Sequence, residues 1–487
     1  MLACVLIALA SCHKSDYIQV IPEEASIVIS ANLANMAEEG DLQNSSLMQT
    51  VNKYMGLITA GEAKELLQDY MKNPAKLGID FTRPVFIFKA GDFIGITLCV
   101  ADDDNVEEFV KTLTSQGLCN NATESGKTHL TFLLDEIVLA YNSHALLLMA
   151  NPNGGNPVQT GQIAMGLMEQ EKDYSFAQTE TYSQMEKRSD CDVVMFSNGM
   201  ALSESTKETL SPFIPDGVRL QDIEIVSSIA FQKGKAVFSA DINGKSNTAQ
   251  KLLEESNKNF HKIEGRYIDS PMEGFAIWAC AGVKGEWLLQ QLKQDPQSLQ
   301  LLIGMERAID IDAILRTIDG DVAVTIPHDF SGTQALSAAD FMLMANVQNT
   351  DFLKDVDYWQ KSMKDYGISM TQTKENNYIL KANDYTLNWG VDDDNIYFAS
   401  AKMFAANGIS KRSQLLTPLE DEIKKAQFFL YLDLETIFGN SHTGTPLFDN
   451  MLSQLKSMTV VSKNTNNIEM TMALKDSNLN FLKAILK

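Results

Sequence analysis

The chain has 487 residues, enough for about two to four domains that each bury a real core. Hydrophobic residues at 45% and charged residues at 21% exclude wholesale disorder and collagen-like or low-complexity architecture. A formal net charge of −23 repels phosphate backbones and argues against nucleic acid as a partner.

The N-terminus comes first. Residues Met1 to Ser11 contain no Asp, Glu, Lys or Arg, and Leu2 to Ala10 are apolar throughout. A bilayer span needs about 20 apolar residues, whereas the h-region of a secretory signal needs about 7 to 15, so this run suits a signal. The basic residues that usually open a signal are missing, so a start upstream of Met1 is expected. Leu9-Ala10-Ser11-Cys12 resembles the lipobox of bacterial lipoproteins, and the chain turns polar immediately afterwards at His13-Lys14-Ser15-Asp16. The resemblance implies cleavage after Ser11 and acylation of Cys12, with residues 1–16 serving as signal and lipid-anchor segment. Each buried acyl CH₂ is worth about 0.8 kcal/mol, so the two or three chains typical of lipoproteins would hold the protein on a membrane permanently. The alternative is that Cys4 and Cys12 are small apolar residues of a helix. Cys99, Cys119, Cys191 and Cys280 are irregularly spaced without a C-x-x-C, and their pairing is left open.

Further along, one order of elements is written twice. Pro84 to Lys89 and Phe93 to Val100 read as strands. Asp102 to Asn105 then opens a helix with Val106, Phe109, Val110 and Leu113 on one face, and strands follow around Leu130 to Leu134 and Ile137 to Ala150. In the second half, Asp321 to Ile326 and Asp340 to Val347 are the strands. Asn349-Thr350-Asp351 caps a helix, and strands recur from Asn377 to Ser400. Asp104 aligns with Asp351 and Ala150 with Ser400 at nearly equal offsets. Ala25 to Leu33 corresponds to Glu273 to Ala281, and Lys235 to Ile242 corresponds to Asn467 to Leu474. That last match pairs Ala236, Phe238, Ala240 and Ile242 with Ile468, Met470, Met472 and Leu474 as core-facing positions of period 2. A helix closes each half, SNTAQKLLEESNK in the first and SNLNFLKAILK in the second. The expectation is an α+β protein of two tandem repeated domains, residues 17–262 and 263–487. Each would be a mostly antiparallel sheet with helices packed on one face.

The search for chemistry is mostly negative: the expected catalytic, cofactor and metal sets are all none. His13, His129, His144, His261, His328 and His442 form no zinc signature, and there is no G-x-S-x-G or G-x-G-x-x-G. Gly126-Lys127-Thr128 looks like the tail of a phosphate loop, but Asn121 replaces its glycine and a strand follows where a helix N-terminus is needed. The acidic runs Asp102 to Asn105 and Asp392 to Asn395 suggest ion binding. Their context instead assigns the first to helix capping and the second to a hairpin turn. Trp278 and Trp359 read as core, whereas Trp287 and Trp389 could equally be core or a sugar-stacking surface.

The lipobox, the opening YIQVIPEEASIVISANL, the duplicated halves and the closing SNLNFLKAIL together resemble a domain-of-unknown-function family of Bacteroidetes cell-envelope lipoproteins. The resemblance implies a lipid anchor, with the outer membrane the expected location, and brings no catalytic residues. The expected function is a non-catalytic binding or scaffolding module whose partner is an envelope protein or a glycan. The alternative is a carboxylate-based hydrolase such as a glycoside hydrolase, which would show two carboxylates about 5 to 9.5 Å apart in one cleft.

Overall fold

The structure, a computed structural model, describes residues 16–41, 70, 73–201, 218–271, 273–306, 309–327, 340–382, 385–400, 403, 413–438 and 446–486. It is a mixed α and β protein with an extensive system of antiparallel strands. Its contacts divide the chain into two compact units, 1–249 with 478–487, and 250–477.

In the first unit the strands are β1 (Ile27–Ala31), β2 (Val85–Ala90), β3 (Phe93–Cys99), β4 (Thr123–Ser125), β5 (Thr128–Leu133), β6 (Ile137–Tyr141), β7 (Ala145–Ala150), β8 (Val193–Asn198), β9 (Ile223–Gln232) and β10 (Lys235–Gly244). They lie in the order β4-β5-β6-β7-β3-β2-β1-β8-β9-β10, every pair antiparallel. β-Branched and aromatic residues fill the central strands, as a pleated, half-buried surface favours. Phe88 faces Gly95 across the β2/β3 ladder, and a Cβ on Gly95 would fall 2.2 Å from the Phe88 ring. The glycine thus makes room for an aromatic ring that is itself 1% exposed. Helix Asp103–Ser115 buries Val106, Val110 and Leu113 against Leu139, Tyr141 and Leu146. Phe109, on the edge of that face, meets Tyr70 edge-on at 4.8 Å.

The second unit adds β11 (Phe260–His261), β12 (Phe275–Lys284), β13 (Ile318–Pro327), β14 (Met342–Val347), β15 (Ser369–Lys374), β16 (Asn377–Ala382), β17 (Tyr385–Asp392), β18 (Asn395–Ser400), β19 (Phe428–Asp433), β20 (Leu455–Asn464) and β21 (Asn467–Leu474). Their order is β15-β16-β17-β18-β14-β13-β12-β19-β20-β21, again antiparallel, with β11 beside β12. Strand for strand, this is the order of the first unit. Helix Val356–Asp365 lays Val356, Trp359 and Met363 into a core with Tyr378, Trp389 and Ile396.

The division between the units falls at 249/250, within helix Asn247–Asn257. The closing helix Phe481–Ile485 packs within the first unit, because the hydrogen-bonding groups it needs are there. Asn480 Nδ2 donates to Glu39 at 3.2 Å and to the Phe231 carbonyl at 3.4 Å, Phe481 stacks on Phe231, and Lys483 pairs with Asp41 at 3.1 Å. The core-facing set of the last strand also holds only in part. Leu474 is buried, but Met470 and Met472 are half-buried and Ile468 is 38% exposed, the β20/β21 ladder being irregular at both ends.

Candidate ligand cleft

The one-turn helix Asp16–Val20 buries Tyr17, Ile18 and Val20 and so lies fixed against the first sheet. Tyr17 donates its hydroxyl proton to the Pro84 carbonyl at 2.9 Å, and Thr97 Oγ1 donates to the Tyr17 carbonyl at 3.0 Å. Burial pushes the Tyr17 phenol far above its ordinary value, so it remains a neutral donor. Opposite stands helix Glu180–Glu186, opened by Thr179, whose hydroxyl accepts the Tyr182 N–H at 3.0 Å. Tyr182 meets Phe176 edge-on at 6.2 Å, and burial, with the nearby Glu186 charge, raises its phenol to about 12.

Between these elements and β1, β2 and β8 lies a cleft of about 550 Å³ lined by Tyr17, Arg83, Phe86, Tyr182, Glu186 and Cys191, among others. That volume suits a small ligand. The single ion pair described for Arg83 is a 3.9 Å approach to Asp80, whose carboxylate already accepts the Thr82 N–H at 3.1 Å and hydroxyl at 2.5 Å. Among the described residues Glu186 has no side-chain partner and is not paired with Arg83. Burial raises the Cys191 thiol, which sits just before β8. Smaller cavities of about 340 Å³ beside the Asn151–Gly155 turn and about 360 Å³ on Leu299, Leu302 and Ile303 are also present.

The residues singled out from sequence do not meet in this cleft. Cys12, His13, His328 and His442 lie outside the described residues. Asp102 caps helix Asp103–Ser115 through the Asn105 N–H at 3.2 Å. Asp393 and Asp394 form the two-residue turn between β17 and β18, with Asp393 at φ 53°. That turn does more than reverse the chain. Asp394 accepts from Arg266 at 2.8 Å and from Asn346 at 3.1 Å, and Asn395 accepts the Tyr267 hydroxyl at 2.7 Å. Asp321, 0% exposed, accepts the backbone N–H groups of Glu264, Gly265 and Arg266 at 2.8, 2.9 and 3.0 Å. Sequence reasoning missed that buried carboxylate, because its partners are backbone groups with no pattern of their own.

Gly126-Lys127 is the turn of the β4/β5 hairpin, with Gly126 at φ 58°. His129 stacks on Tyr141 at 4.9 Å, and His261 lies 3.0 Å from Asp319. Trp278, Trp359 and Trp389 are all core, Trp389 stacking on Tyr378 at 4.7 Å, while Trp287 meets Phe260 edge-on at 4.6 Å. Cys99, Cys119, Cys191 and Cys280 are free thiols. Among the described residues no helix is long and apolar enough to cross a membrane, and no three His, Cys, Asp or Glu side chains are grouped as metal ligands would be.

Residues 17–480 match the family described as a domain of unknown function, DUF4836, and the chain belongs to that family. No curated protein matches. Among solved structures the chain is similar to TP0453 in crystal form IV, at 13% identity and TM-score 0.25 over 42% of this chain and 76% of that one. It is also similar to TP0453 in crystal form III, at 12% identity and TM-score 0.25 over 44% and 94%.

Proposed function

We propose that this member of the DUF4836 family is a non-catalytic binding or scaffolding module of the Bacteroidetes cell envelope, held at the outer membrane by lipid on Cys12. In this reading it arose by tandem duplication of an α+β domain with helices on one face of its sheet. Its partner is an envelope protein or a glycan. What supports the binding role is the lining of the first unit's cleft, which sets Tyr17, Phe86 and Tyr182 beside Asn32 and Arg83 and has Glu186 as its one carboxylate among the described residues. A glycoside hydrolase needs two carboxylates poised about 5 to 9.5 Å apart over one bond. Glu306 and Asp312 do share the groove on Leu302, but both are engaged. Glu306 accepts the Asp312 N–H at 2.8 Å, and Lys293 donates to Asp312 at 2.5 Å.

Metabolic labelling with a clickable palmitate analogue tests the anchor, and label retained after Cys12→Ala would overturn it. Incubation of the purified chain with a polysaccharide panel tests the rest. No release of reducing ends is expected, and release abolished by Glu306→Gln or Asp312→Asn would establish the hydrolase instead.

A further inference from the structure

The lipid proposed above sits on Cys12, and Asp16 opens the helix that is fixed on the first sheet. Between the two residues a fully extended chain reaches about 14 Å. The folded side offers no slack. Tyr17, Ile18 and Val20 are buried, and Tyr17 is tied to Pro84 by its hydroxyl and to Thr97 by its carbonyl. A compact unit of this size measures about 45 Å across, about three times the tether. It therefore cannot turn its far side to the bilayer, and the surface around Asp16 stays beside it.

That surface is built from two segments stitched together. Lys172 approaches Asp16 at 3.7 Å, the Glu23 N–H donates to the Tyr174 carbonyl at 3.0 Å, and the Phe176 N–H donates to Ile21 at 2.9 Å. Tyr174 stands out of it at 65% exposure, the one exposed aromatic side chain among the described residues of the first unit. An amphipathic ring of this kind suits the headgroup layer of a bilayer. Lys172 is taken up by Asp16, while Glu23, Glu24, Glu171 and Asp173 are exposed carboxylates that repel anionic lipid. We infer that this face of the first unit rests on the headgroups of a zwitterionic bilayer, with Tyr174 reaching into them. The inference rests on the lipid anchor proposed above and adds which face meets the membrane. Tyr17 and Ile18 also line the cleft, so its ligand is met beside the bilayer.

Lys111 supplies the control position. Its helix packs on Leu139, Tyr141 and Leu146, whereas Val138, Leu147 and Met149 join the core of Tyr17 and Ile18, so the two helices lie on opposite faces of the sheet. The full-length lipidated chain is reconstituted into vesicles of phosphatidylethanolamine and phosphatidylcholine, with photo-crosslinking p-benzoylphenylalanine in place of Tyr174 or of Lys111. Mass spectrometry then counts lipid adducts. Position 174 should give about tenfold more than position 111, which lies a sheet and two flanking layers away. A Gly-Ser spacer of about ten residues between Lys14 and Ser15 extends the reach to about 50 Å and should bring the two positions within about twofold. Replacing about a third of the lipid by phosphatidylglycerol at low salt should about halve the adduct at 174, and about 0.5 M salt should restore it. Equal adducts at 174 and 111 on a vesicle-bound chain would overturn the orientation and leave the anchor standing. Adducts that rise with phosphatidylglycerol would overturn the zwitterionic surface. A wild-type chain that floats free of the vesicles, or a Cys12→Ala chain that stays on them, would overturn the anchor itself.

Discussion

The two units share a strand order and close the same corner of the sheet by different means. Each begins with a Tyr-Ile pair, Tyr17-Ile18 and Tyr267-Ile268, equally far ahead of the matched residues Ile29 and Ala279, and all four side chains are buried. In the first unit Tyr17 is tied to the carbonyl of Pro84 and the corner opens into a cleft. At the position matching Pro84 the second unit has Asp321, which draws in the 264–266 backbone and so seats Ile263, Tyr267, Ile423, Ala426 and Phe429 in one dry cluster. One copy thus closes this corner with Trp278 packed on Phe429, while the other leaves a cleft beside Phe86 and Val194. A conserved ladder geometry accommodates both, because register fixes which positions face inward and side-chain volume decides whether they meet.

The largest expected effect breaks the second corner. Asp321→Ala should cost about 3 to 5 kcal/mol, since each buried donor left unpaired costs about 1 to 3 kcal/mol. Pro84→Ala should cost about 1 kcal/mol or less. All four tryptophans lie in the second unit, so emission during urea unfolding reads that unit alone while circular dichroism reads both. An Asp321→Ala protein whose emission midpoint is unmoved would show that the carboxylate does not lock the corner. Next, Ile423→Ala should cost about 3 kcal/mol because its surroundings are close-packed, whereas Val194→Ala beside the cleft should cost about 1 kcal/mol. Equal losses would mean that the two corners are packed alike.

Much of this was legible in the sequence. Strand positions, the helix face at Val106, Val110 and Leu113, the cap at Asp102 and the turn at Asp392 to Asn395 follow from period, side-chain chemistry and the repeat itself. The cleft was not, because its lining is gathered from segments far apart in sequence, from Tyr17 to Val194. The partners of Asp321 were hidden for a related reason. The partners of the closing helix were hidden too, because it mirrors the first half's own closing segment, yet Asn480, Phe481 and Lys483 find Phe231, Glu39 and Asp41 within the first unit.

That helix gives the third prediction. Asn480 accepts the Leu482 and Lys483 N–H groups at 2.8 and 3.4 Å besides donating to Glu39 and Phe231, so Asn480→Ala should cost about 1 to 2 kcal/mol. The loss should appear in circular dichroism and leave tryptophan emission unchanged; a shift in emission alone would place the helix's contribution in the second unit. Smaller still is Met470→Ala, expected at about 1 kcal/mol because that side chain is only half-buried, against about 2 to 5 kcal/mol for a fully buried one. A loss in the upper range would mean that the side chain is packed in the core after all.

The smallest effect is one of slope. Asp192 and Gln427 hold matched places immediately before β8 and β19, and each donates its N–H to the neighbouring strand, to Ile229 at 3.0 Å and to Ser462 at 2.7 Å. Only Asp192 titrates. Burial raises its carboxyl above the ordinary Asp range, with the Phe231 N–H at 2.6 Å pulling the other way. A raised folded-state value means that the native protein binds the proton more tightly than the unfolded chain. Between the unfolded and folded values, stability therefore falls as pH rises and is regained as pH drops. Asp192→Gln, which copies the second unit, should remove that segment of the pH profile while preserving the backbone pairing. Circular dichroism melts from pH 3 to 7 would read it, with emission as the second unit's internal control. A wild-type profile that rises through the same window, or a variant that keeps the wild-type slope, would show that Asp192 is not the group responsible and that the two matched positions differ in name only.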